Sequence, residues 1–155
     1  MAFRQQNNGQ QPESTRSLGD LGERIASKYL ESNGYRLVIA NFKVPIGRNA
    51  NNAQVTGEID IIAFDGETLC FIEVKTRSSD EFASPLSAVN LRKQRQIIRT
   101  SRVYRRMFGI RDISHRYDVV TIVMGRNPTV ELIKGFWSEA KFKKRAWTGD
   151  IWEYA

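Results

Sequence analysis

Apolar residues recur at steps of three and four through Leu18, Leu21, Ile25, Tyr29 and Leu30, a spacing that predicts a helix over 18 to 33 with Gly34 as its stop. The period then changes. Tyr35 to Phe42 reads as a strand, and KVPIGRNANNAQVT over 43 to 56, with Pro45, Gly47 and its asparagines, reads as a long loop. Two apolar runs, EIDIIAF and TLCFIEVKT, flank Asp65-Gly66 and predict a hairpin. Ser84-Pro85 opens a predicted helix that ends near Phe108 with Gly109 beyond it. YDVVTIVM is apolar on both faces, as a central strand must be, and Val130 to Ile133 supplies a last strand. The order of elements predicts an α/β fold, a mixed sheet of four to five strands flanked by helices. Residues 1–17 are rich in Gln, Asn and Ser without apolar period and read as a disordered tail, 18–135 as the α/β domain, and 136–155 as a basic aromatic tail.

Length agrees with one domain, since 155 residues bury enough surface to fold without a disulfide or structural metal. One cysteine, Cys70, and one histidine, His115, exclude a Cys/His zinc site, and neither is assigned a catalytic role. The chain has no apolar run long enough to span a bilayer and no signal-peptide pattern, so the expected compartment is the cytoplasm and no membrane partner is expected. The formal charge of +7 favours a polyanionic partner.

Chemistry concentrates in the hairpin. Glu73 and Lys75 are two apart on one strand and therefore share a face. If Asp65 and Gly66 form the whole loop, Asp60 lies opposite Phe71 and diagonal to Glu73; a four-residue loop puts Asp60 directly opposite Glu73, and an odd loop separates them. Two close carboxylates repel unless a cation lies between them, and oxygen ligands suit Mg²⁺ or Mn²⁺. An adjacent ammonium could orient or deprotonate water, so Asp60 and Glu73 as metal ligands with Lys75 beside them would equip metal-assisted phosphodiester hydrolysis. The alternative is a simple cross-strand ion pair at a sheet edge. Glu23 falls at the margin of the first helix's apolar stripe, where it either faces the sheet as a further acid or is a solvated first-turn glutamate. Glu58 reads as a solvated strand end.

The segment 86 to 108 carries Arg92, Lys93, Arg95, Arg99, Arg102, Arg105 and Arg106 and no acid, so the whole net charge resides there. Arg92, Arg95, Arg99, Arg102 and Arg106 step by three and four into one stripe suited to a phosphate backbone. Lys93 interrupts the opposite, mainly apolar stripe, so its ammonium should snorkel or meet a carboxylate or phosphate. Gln94 is a weaker candidate beside it. In the tail, Trp137, Phe142, Trp147 and Trp152 alternate with basic residues, a composition that stacks on bases or packs on the domain.

Asp60 followed by Glu73-Val74-Lys75 resembles the PD-(D/E)xK nuclease motif, and LGERIASKYLESNGY, GEIDIIAFD, FIEVKTR and HRYDVV together resemble the YraN-like family of uncharacterised bacterial proteins, over about residues 18 to 124. Ile59-Asp60 stands where the superfamily often has Pro-Asp. The resemblance implies a restriction-endonuclease-like fold similar to Holliday junction resolvases. It further implies an endonuclease hydrolysing DNA, with branched DNA as substrate and Mg²⁺ or Mn²⁺ as cofactor. Residue by residue it implies Asp60 and Glu73 as metal ligands, Lys75 as the group that activates water, and Glu23 as an additional acid. Arg77, closing EVKTR, joins Arg92, Lys93, Arg95, Arg99, Arg102 and Arg106 as the expected nucleic-acid contacts, and cutting two strands of a junction would require a homodimer. The competing reading is a non-catalytic nucleic-acid-binding module of nuclease fold acting in repair, recombination or uptake.

Overall fold

A computed structural model of the chain describes residues 15–78, 87 and 89–142. The first helix, α1, spans Thr15–Ser32 and ends at Gly34, whose φ of +84° is a left-handed conformation open to glycine. It begins before the predicted Leu18 because its first turn, Thr-Arg-Ser, carries no apolar residue to betray it. The expected tail is thus corrected at residues 15–17, which are helical, while residues 1–14 lie outside the described residues.

Five strands follow, β1 Arg36–Arg48, β2 Gln54–Asp65, β3 Thr68–Arg77, β4 His115–Val123 and β5 Thr129–Trp137, with α2 Leu91–Met107 between β3 and β4. They form one sheet in the order β1-β2-β3-β4-β5, antiparallel except for the parallel β3/β4 pair. A parallel pair needs a crossover, and α2 lies within it. This is the predicted mixed α/β sheet flanked by helices, an arrangement consistent with a restriction-endonuclease-like fold.

Each helix buries its apolar stripe on one face. Ala26 and Leu30 of α1 pack with Ile61, Ala63, Cys70, Ile72, Val120 and Ile122. Ile97, Ile98 and Tyr104 of α2 pack with Phe42, Ile59, Ile62, Phe71, Tyr117 and Val119 on the other. β4 contributes to both clusters, which is why its sequence is apolar without alternation. The core continues past residue 135, since Trp137 stacks on Tyr117 at 5.2 Å and Phe142 is buried in the α2 cluster. The rest of the expected tail, from residue 143 onward and including Trp147 and Trp152, lies outside the described residues.

Two boundaries differ from expectation. Residues 43 to 56 are not a loop: β1 and β2 continue as a hairpin to Arg48↔Gln54, and the Asn49 side chain accepts from the N–H groups of Asn51 and Ala53 to close its tip. Alternation failed as a signal because residues 47–54, around the tip of this arm, are exposed whichever way they face. Similarly, α2 starts at Leu91 rather than near Pro85, because Asn90 caps it by accepting from Lys93 N–H at 2.9 Å. Ser84, Pro85 and Leu86 lie outside the described residues.

Candidate active site at the fork of the sheet

The hairpin turn is displaced by one residue from Asp65-Gly66. Asp65 pairs with Thr68, leaving Gly66 and Glu67 at the tip with Gly66 at φ +59°, and Phe64 pairs with Leu69. That is the register of the wider of the two loops, in which Asp60 and Glu73 would stand opposite each other. The ladder stops one step short, at Ile61↔Ile72. Beyond it β2 remains paired with β1 and β3 with β4, so the sheet forks.

Backbone irregularity marks the same level. Ile59 and Ile61 are two apart yet lie in opposite core clusters, so β2 changes face at Asp60. Across from it Asn41, between the pairs Ala40↔Ile61 and Phe42↔Ile59, adopts φ +53°. In place of the missing rung, Val74 N–H donates to Asp60 Oδ2 at 2.8 Å.

The fork gathers charge from three elements. Glu73 is 3% exposed; its Oε1 lies 3.5 Å from Lys75 Nζ and 3.8 Å from Lys93 Nζ at the start of α2. Among the described residues, its Oε2 is buried without a hydrogen-bond partner. Burial first, and the Asp60 carboxylate second, push the Glu73 carboxyl up to about 8 despite the two ammonium groups. On the opposite face of the sheet, Gly22 lets α1 sit directly on β3, since a Cβ there would overlap the Thr76 hydroxyl. Glu23 is thereby brought near Asp60: burial, then Asp60, raises its carboxyl, and a hydrogen bond from Asn41 acts in the opposite direction. Sequence reasoning missed Asn41. An Asn inside an otherwise apolar strand, the residue type that best tolerates left-handed backbone after glycine, was the available signal.

The remaining candidates divide along α2. Lys93 meets a carboxylate, as its place on the buried stripe requires. Gln94 is buried and donates to Val89 O at 2.9 Å. Arg92 is exposed, and Arg77 closes β3. Arg99 donates to Ile46 O at 2.8 Å, Arg95 lies over the Phe142 ring at 5.6 Å, and Arg102 lies 3.3 Å from Glu139. Three of the five arginines of the expected stripe are therefore engaged by the hairpin arm and by residues after β5, while Arg106 is exposed. Glu58 forms an exposed pair with Lys43 at 3.8 Å.

Among the described residues, no group of three or more acidic, His or Cys side chains has closed to metal-ligand spacing. The donor set still fits one hard divalent ion, because Mg²⁺ takes one or two carboxylates and completes its shell with water or phosphate oxygens, and no donor among the described residues meets Glu73 Oε2.

A family model described as "Uncharacterised protein family UPF0102" matches residues 22–122, a span containing Glu23, Asp60, Glu73, Lys75 and all of α2. A UPF0102 protein of Chlorobium limicola is 42% identical over 131 residues, 79% of this chain and 94% of that one. Another, from Alkaliphilus metalliredigens, is 38% identical over 119 residues, 77% of this chain and 96% of that one. Among solved structures, the one described as "Crystal structure of SSO0001" is 18% identical, with a TM-score of 0.41 over 86% of this chain and 58% of that one. Among the described residues, no helix is long and apolar enough to cross a membrane. With relatives at this level of identity aligned over most of its length, the chain belongs to the UPF0102 family.

Proposed function

We propose that the protein is a divalent-metal-dependent endonuclease whose active site is the fork between β2 and β3. One observation carries the reading: a glutamate buried to 3% exposure with an unpartnered oxygen, beside a second carboxylate and two lysines. Such an arrangement destabilises the empty fold and is suited to an ion and a phosphodiester.

Asp60 and Glu73 would hold the metal, which when bound would polarise the phosphoryl group and acidify a water. The chain's own residues do the rest. Val74 N–H fixes the Asp60 carboxylate, so its orientation does not depend on the ligand. Lys75, with its side chain 38% exposed, reaches from Glu73 towards solvent, where it can orient the attacking water and stabilise charge that develops on the phosphoryl oxygens. Lys93 offers a second ammonium to the same face. Glu23, its carboxyl raised by burial and by Asp60, stands across the fork as a further acid.

DNA is the proposed polymer because the net charge resides on α2, and branched DNA is the substrate class implied by the resemblance to junction resolvases. Symmetric cutting of a junction would then use a homodimer, visible by light scattering. The test is cleavage of end-labelled junction, flap, single-stranded and duplex DNA with Mg²⁺ or Mn²⁺. Cleavage abolished by EDTA and reduced at least about a hundredfold in Asp60→Asn and Lys75→Met is expected. Binding of junction at low salt without cleavage of any substrate would instead support the non-catalytic module.

A further inference from the structure

At the far end of α2 from Glu73, four arginines line one open cavity of about 210 Å³: Arg102, Arg105, Arg106 and Arg111. Two of them have an ordinary explanation, because cations in the last helical turn complement the helix C-terminus. The other two do not. Arg102 comes from the preceding turn, and Arg111 is returned to the cluster by Gly109, at φ +64°, with Ile110 N–H donating to Arg105 O. Among the described residues the acid bound to this cluster is Glu139, 3.3 Å from Arg102 and 3.2 Å from Arg105. That carboxylate is shared with Tyr117 and His115, and Arg105 Nε remains buried without an acceptor. Arginines gathered on one concave surface repel, and Arg106 and Arg111 are exposed there beside the pair that holds Glu139, so the set is adapted to a multivalent anion with several acceptor oxygens.

We propose that this cavity seats a backbone phosphate of the same nucleic-acid strand that enters the fork, an inference that rests on the nuclease reading and specifies its substrate. Arg102 and Arg106 follow Lys93 by nine and thirteen residues, roughly 14–20 Å along the helix axis, and lie on its other side, so a strand that reaches both travels at least that far. At about 3.4 Å of rise per nucleotide in a duplex strand, the seated phosphate lies at least about four to six nucleotides from the scissile bond. The substrate is therefore polymeric, and fragments too short to reach the cavity lose its contribution.

Binding is measured in EDTA, by anisotropy, with duplexes of graded length from below to well above that span. The chains are wild type, Arg106→Ala/Arg111→Ala, which removes two exposed lining residues, and a charge-matched control, Lys28→Ala/Arg126→Ala, which removes two exposed cations elsewhere. An affinity step at the predicted length is expected in wild type. In the cavity variant the step disappears, long duplex binds about tenfold more weakly, and the slope of log K against log salt falls by about one, the value for one phosphate contact. The control keeps the step. Equal losses in both variants, or no step in wild type, would overturn the assignment. Titration with inorganic pyrophosphate distinguishes the other source of the same chemistry: saturable binding lost in the cavity variant, with no length step for duplex, assigns the cavity to a free phosphorylated ligand and refutes the strand. Because binding is read without metal, absence of cleavage would refute the nuclease reading while leaving the length step intact.

Discussion

Replacing Glu73 by glutamine should make the metal-free protein more stable. The unfolded chain ionises this carboxyl in the usual range near 4.5, whereas burial and Asp60 hold it at about 8 in the folded state. Between those values the folded state keeps a proton that the unfolded state releases, so stability falls as pH rises, at up to about 1.4 kcal/mol per pH unit. From the lower limit to neutrality the accumulated loss is about 3 kcal/mol, most of which the neutral isostere Glu73→Gln avoids. For a chain of this length that corresponds to a rise in Tm of about 5–10 °C at neutral pH. Urea denaturation in EDTA from pH 4.5 to 8.5 measures the difference, which should grow with pH through this window and level off above it. Added Mg²⁺ or Mn²⁺ should stabilise wild type by mass action and leave the variant unchanged. A variant less stable than wild type near pH 7.5 without metal would refute the reasoning, because Glu73 would then be a satisfied structural partner of its lysines.

Other perturbations test the fold around the site. Gly57→Ala would drive a Cβ into the Thr100 hydroxyl and Ile46, parting α2 from the hairpin arm at a cost of about 1–3 kcal/mol in thermal denaturation. Gly19→Ala, with open space at its Cβ inside α1, should be neutral or stabilise by up to about 1 kcal/mol. Asp118→Ala removes a fully buried carboxylate that accepts from Arg116 at 2.7 and 2.9 Å and from Gly135 N–H at 2.9 Å, and should cost about 3–5 kcal/mol. The Glu139 carboxyl is held far below its usual range, chiefly by its hydrogen bond with His115 and then by Tyr117 and Arg102. Its stabilisation is fully present above the unfolded value near 4.5 and lost as pH falls, so the stability gap between wild type and Glu139→Ala should be constant above about pH 5.5 and shrink in acid.

Most of the fold was readable because its elements obey their own periods. α1 and the buried part of α2 show helical spacing, and β4 is apolar on both faces because it is covered on both. The register of the β2/β3 hairpin was narrowed to alternatives but not decided, because Asp65-Gly66 and Gly66-Glu67 are both acceptable tips and a shift of the tip changes which residue faces Glu73. The fork itself had no signature in alternation. It arises where Asp60 takes the Val74 N–H that a ladder partner would otherwise bind, a tertiary substitution with no local pattern. Glu139 was invisible for a related reason: it is an acid in a basic aromatic segment, and its significance comes from Arg102, Arg105, His115 and Tyr117, all more than twenty residues away in the chain.

Two buried carboxylates in one small sheet show why the site belongs at Glu73 and not elsewhere. Asp118 is as deeply buried, but a guanidinium, the Tyr35 hydroxyl and a backbone N–H occupy its oxygens, so its charge is balanced within the fold. Glu73 lies next to another carboxylate, with two ammonium groups at 3.5 and 3.8 Å, and among the described residues no donor meets its Oε2. A chain that satisfies the oxygens of Asp118 and leaves Glu73 Oε2 open at the fork, where Asn41 bends β1 and β2 changes face, has gathered several unfavourable terms at that point. A cation and a phosphodiester at that point would relieve them together, so ligand affinity and empty-state instability should be two measurements of the same arrangement.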